Sequence, residues 1–86
     1  MGQHKEGIKT AIKDEFIGRF RKMKAKAGDL LPATWLYDDF MANLSAKEQL
    51  ALEEIISEMI QEGLIAYVGG TKPTYALTQK GVDILC

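Results

Sequence analysis

The chain has 86 residues, 47% of them hydrophobic and 27% charged, with a net charge of −1; this is enough for one globular core and excludes wholesale disorder or a fibrous design. Its longest apolar runs are only a few residues, far below the ~20 needed to cross a bilayer, and Met1 to Lys9 holds no apolar secretory segment, so a soluble, cytoplasmic protein without membrane contact is expected. One cysteine (Cys86) and one histidine (His4), each in a terminus expected to fray, offer no intrachain disulfide, metal set or cofactor site.

Ile8, Ala11, Ile12, Phe16, Phe20, Met23 and Ala27 recur at steps of three and four, which lines them along one side of a first helix, with Lys and Arg filling the rest. The spacing predicts that helix over about 5–26, stopped by Gly28. The next stretch, 29–34, contains Pro32, which breaks a helix interior but suits a short strand or extended link. Thr34 or a neighbour is expected to cap a second helix over 35–43, with Leu36, Phe40 and Leu44 as its apolar stripe and Trp35 and Tyr37 flanking the core.

Ser45-Ala-Lys-Glu48 has the form of a capping box, in which the serine hydroxyl takes an orphan backbone N–H and the glutamate reaches back to the serine's own. A third helix therefore starts there. Leu52, Ile55, Ile56, Met59 and Ile60 follow the helical pattern, and Gly63 supplies the left-handed residue beyond its end, with Leu64 as apolar companion. The β-rich runs 64–68 and 74–77, separated by Gly69-Gly-Thr-Lys-Pro73, predict a hairpin with its tip at 69–73. Thr78 then caps a last short turn over 79–85 whose Val82 and Leu85 fold back on the core.

The predicted class is mainly α with a small β-hairpin, in one domain over 1–86. Its order of helix, short strand, helix, long helix, two-stranded wing and short C-terminal helix is that of a winged helix-turn-helix. Two stretches carry a more specific likeness. Met59-Ile-Gln-Glu-Gly-Leu-Ile65 resembles the end of the third helix in bacterial winged-helix regulators, and Tyr75-Ala-Leu-Thr-Gln-Lys-Gly81 resembles the Y-x-L-T-x-K-G close of the same families. The likeness spans Asp29 to Cys86. It implies a DNA-associated, non-enzymatic protein of the transcription-regulator type, whose third helix enters the major groove while the hairpin tip reaches phosphates.

The charges depart from that pattern. Residues 1–28 hold eight basic side chains against three acidic ones, whereas 29–63 hold eight acidic ones against Lys47 alone. At about 100° per residue, the outward face of the third helix carries Ala46, Lys47, Leu50, Glu53, Glu54, Ser57 and Gln61, which repels phosphate. Double-stranded DNA would then have to dock on a separate basic surface, for which Lys13, Arg21, Lys24, Lys72 and Lys80 are the candidates. The alternative is a protein-interaction module that meets a basic partner or a second copy of itself, with Leu50, Glu53 and Glu54 as contact residues. Leu50 lies outside its own helix's apolar stripe, and expects either Phe40 or Leu44 of the second helix or another chain as its cover. Trp35, Tyr37 and Tyr67 are core-edge residues or, clustered and exposed, part of such a surface.

No catalytic constellation emerges. Ser45 is a cap, Ser57 sits on an exposed helix position, and neither has a base beside it. Asp38/Asp39 and Glu53/Glu54 are sequence neighbours pointing about 100° apart on a helix, so neither pair works as a unit. Glu54 and Glu58 share a face and repel unless a cation intervenes. Gly69-Gly70 lacks the strand-loop-helix setting of a phosphate loop. No metal, cofactor or small-molecule ligand is indicated.

Overall fold

The capping box at Ser45 forms as the sequence requires. The Ser45 hydroxyl accepts from Glu48 N–H at 3.2 Å and the Glu48 carboxylate accepts from Ser45 N–H at 2.8 Å. In the computed structural model, which describes the backbone of residues 3–85 and side chains from Gly7, four helices and a two-stranded antiparallel sheet surround one continuous core. The expectations for the His4 side chain and for Cys86 lie outside the described residues.

Helix α1 (Gln3–Lys22) buries Ile12, Phe16, Ile17 and Phe20. It stops four residues short of the predicted end. Lys24 takes a left-handed φ of 54°, its N–H bonds to the Arg21 carbonyl at 3.0 Å, and the Ala25 N–H reaches back to Phe20 at 3.0 Å. That is a Schellman end with lysine where glycine is usual, a choice costing on the order of 1–3 kcal/mol of backbone strain. Burial of Ala25 offsets part of it, and Gly28 is not the stop. Ala11 and Ala27, predicted on the apolar side, are exposed, while Ile17 and Ala25 take their share of the core.

The predicted short strand is a single bridge, Leu30 to Ala76, flanked by hydrogen bonds from Gly28 N–H to Leu77 and from Leu31 N–H to Tyr75. Helix α2 follows as a π-helical stretch, Trp35–Phe40, and a 3-10 turn, Met41–Asn43. Thr34 is already helical (φ −59°) and its side chain caps nothing, because the ladder starts earlier, with the Leu36 N–H on the Pro32 carbonyl at 3.0 Å. Proline is tolerated there since an N–H at a helix start has no partner within the helix.

Helix α3 (Ala46–Gln61) buries Ala51, Leu52, Ile55, Ile56 and Met59. Its end has the predicted left-handed glycine, Gly63 at φ 76°, and forms a Schellman motif, with the Gly63 N–H on Ile60 and the Leu64 N–H on Met59 at 2.9 Å. Strands β1 (Ile65–Val68) and β2 (Thr74–Leu77) pair in the register Ile65 with Leu77 through Val68 with Thr74. Helix α4 (Gln79–Leu85) is capped by Thr78, whose hydroxyl accepts from Gly81 N–H at 3.0 Å and donates to the Gly63 carbonyl at 2.6 Å. A Cβ on Gly81 would collide with the Leu64 carbonyl oxygen and crowd Leu77. Three of the marked positions between Tyr75 and Gly81 therefore have a structural reason: a buried leucine, a capping threonine and a glycine at a close approach. No described helix is long and apolar enough to cross a membrane.

Candidate interaction surface

Helix α3 has two flanks with different electrostatics. On the flank facing α1, Lys9 sets its ammonium 2.8 Å from Glu58 and 3.5 Å from Glu54, supplying the cation that this pair of like charges requires. The hydrogen bond to Lys9 holds the Glu58 carboxyl below its ordinary range, with Lys13 adding a smaller pull, and the same bond raises Lys9. The basic helix and the acidic helix thus meet within one chain.

The other flank faces the hairpin and the end of α2. Here Met41, Leu52, Ile56, Ile60 and Tyr75 line a cleft of about 310 Å³, with Gln49, Glu53 and Ser57 completing its wall. Along α3 it runs from Gln49 to Ile60, roughly 16 Å at 1.5 Å per residue. Gln49 also ties α3 to α2, its amide donating to the carbonyls of Met41 at 3.3 Å and Leu44 at 3.4 Å. Tyr75 packs edge-on against both Phe16 and Tyr67, so one ring joins core and surface. Burial chiefly, then the neighbouring Tyr37, Tyr67 and Glu53, pushes its hydroxyl pKa up, keeping a neutral O–H at the cleft. Tyr37 donates to the Pro73 carbonyl and so fixes the base of the hairpin tip to α2.

Leu50 is 61% exposed, so α2 does not cover it; its position near the outermost line of α3, roughly 160° around from the buried Leu52, carries it past Phe40 and Leu44. Ile60, predicted in the core stripe, is 39% exposed because it sits at the stripe's edge, where the wall of the cleft begins. Tyr67 is 59% exposed. Trp35 and Tyr37 flank the core as predicted, Trp35 stacked on Phe40 at 4.9 Å with the Arg19 guanidinium 5.3 Å from its ring centre. Glu53 and Glu54 are both exposed, about 100° apart on the helix, and they serve different flanks: Glu53 lines the cleft and Glu54 meets Lys9.

The five basic candidates are dispersed. Lys13 lies toward Glu58. Arg21 donates from Nε to the Leu85 carbonyl at 2.7 Å and so caps α4, with Lys24 beside it at the left-handed end of α1. Lys72 is exposed at the hairpin tip, and Lys80 is exposed on α4, its stem near Gly63. The described contacts join none of the α1 candidates to Lys72.

Sequence reasoning missed the cleft itself. Gln49, Met41 and Tyr75 come from three separate elements, and only their packing makes them neighbours. The signal available was the surplus of apolar residues on α3: Leu52, Ile55, Ile56 and Met59 already fill the core arc, leaving Ile60 and Leu50 over. Among the described residues no group of His, Cys, Asp and Glu is placed to hold a metal ion. No protein-family model, characterised protein or solved structure matches this chain.

Proposed function

We propose that this chain is a non-enzymatic protein-contact module built on a winged-helix arrangement, and that it uses the outer face of α3 and the adjoining cleft to bind another protein. The winged-helix reading draws support from the order of elements and from the Leu30–Ala76 bridge, which stands where that arrangement has its short strand. The observation that carries the functional reading is the exposure of Leu50 and Ile60 on a helix whose one cation is Lys47. A contiguous apolar surface rimmed by polar side chains marks a contact site, here the cleft of Ile56, Ile60 and Tyr75 with Gln49, Glu53 and Ser57 around it, and a face with Glu53 and Glu54 disfavours a polyanion.

A second reading, DNA association in the manner of a transcription regulator, rests on Lys24, Lys72 and Lys80, which are exposed. Titration of fluorescent random duplex DNA at about 50 and 200 mM salt separates the two, because binding that depends on several phosphate contacts falls by orders of magnitude across that interval. The protein-contact reading expects no binding at the lower salt. Tight binding there that collapses at the higher salt, and weakens with Lys72→Ala, overturns it.

A further inference from the structure

The cleft between α3 and the hairpin has an apolar floor and an acidic side chain in its wall, and no cation lines it. Each feature constrains its occupant. At about 310 Å³ it stands at the bottom of the roughly 300–1,000 Å³ range of small-molecule sites, so it is sized for a few side chains. The floor requires apolar anchors. Glu53 favours a cation close to those anchors, and Glu54, although engaged with Lys9, adds to the negative potential of the outer face. The straight wall of α3 from Gln49 to Ile60 matches about three turns of a partner helix lying alongside it.

A second copy of the chain fits less well. Pairing the cleft face of two copies brings the same set of side chains from both sides, and since no cation lines the cleft, neither copy answers the Glu53 of the other. The basic end of α1, with Arg21, Lys22 and Lys24, brings cations, but the exposed apolar side chain next to it is the single Ile84 of α4, one anchor where the floor offers several.

We infer that this cleft is the docking groove for an amphipathic basic helix of another protein, with apolar side chains of that helix seated on Ile56, Ile60 and Tyr75 and a lysine or arginine against Glu53. The inference rests on the protein-contact reading above and narrows it to one place and one chemistry. Tyr67, exposed and in ring contact with Tyr75, extends the apolar surface beside the groove for the partner's flank.

The test uses a labelled helical peptide with leucines at steps of three and four and lysines beside them, followed by anisotropy against the full chain. Two counterparts replace the lysines by glutamates or the leucines by serines. Saturable binding of the leucine–lysine peptide is expected, with about tenfold weakening by Glu53→Lys and by Ile60→Ser, no change with Lys24→Ser, and no binding of either counterpart. Circular dichroism of each variant verifies that it stays folded. Peptide binding that ignores Glu53→Lys and Ile60→Ser overturns the groove and leaves the protein-contact reading standing. Absence of saturable peptide binding overturns the groove as well, and salt-sensitive DNA binding in the same preparation removes the wider reading with it.

Discussion

The two flanks of α3 are built from one acidic stretch of sequence and end in different states. Toward α1, Glu54 and Glu58 share Lys9, so charge is answered inside the molecule. Toward the hairpin, Glu53 stands in the wall of a cleft without a cation, beside apolar side chains left partly in water. Net charge over a segment therefore says little about which charges are available to a partner. Packing decides it, and the decision falls on pairs far apart in sequence.

The comparison can be erased, tilted or dissected. Phe16→Ala erases it, because this fully buried ring touches Phe20, Phe40 and Tyr75 and so joins α1, α2 and the hairpin. A loss of about 3–5 kcal/mol in urea unfolding is expected, and a loss below about 1 kcal/mol would show that the flanks do not share this support. Gly81→Ala comes next, since the added methyl meets the Leu64 carbonyl where the chain leaves α3 for β1. Overpacking of this kind costs about 1–3 kcal/mol, and an unchanged urea midpoint would contradict the close approach. Leu50→Gln separates surface from core: stability within about 0.5 kcal/mol of the parent fits an exposed side chain, whereas a loss of 2 kcal/mol or more would make Leu50 a core residue.

The smallest effect belongs to the answered flank. Glu58 has its folded pKa lowered from 4.5, so its contribution is present above that value and is lost as pH falls through the lower folded one. Lys9 is raised from 10.5, so its contribution is complete below that value and is lost as pH rises through the higher folded one. The gap in thermal midpoint between the parent and Glu58→Gln should hold through the neutral range and shrink in acid. A gap that widens in acid would contradict the pairing.

Local signals specify some elements and leave others open. Both ends of α3 were legible because a capping box and a glycine-ended Schellman motif are each written within a few residues. The end of α1 was not, since Lys24 adopts a conformation usually left to glycine and only the burial of Ala25 rewards it. Thr34 misled for a related reason: a good capping residue does nothing once Pro32 has started the helix. At the candidate site, Leu50 was readable as an apolar residue out of place, and its exposure follows from helical geometry. Lys9 with Glu58, forty-nine positions apart, and Tyr75 against α3 required the tertiary arrangement.

The most direct measurement is the map of backbone amide shifts of isotope-labelled protein as the leucine–lysine peptide and, separately, random duplex DNA are added. The peptide is expected to shift Gln49, Glu53, Ser57, Ile60 and Tyr75, and DNA is expected to shift nothing at about 200 mM salt. Perturbation by DNA concentrated at Lys24, Lys72 and Lys80, with the cleft silent to peptide, would contradict the protein-contact reading.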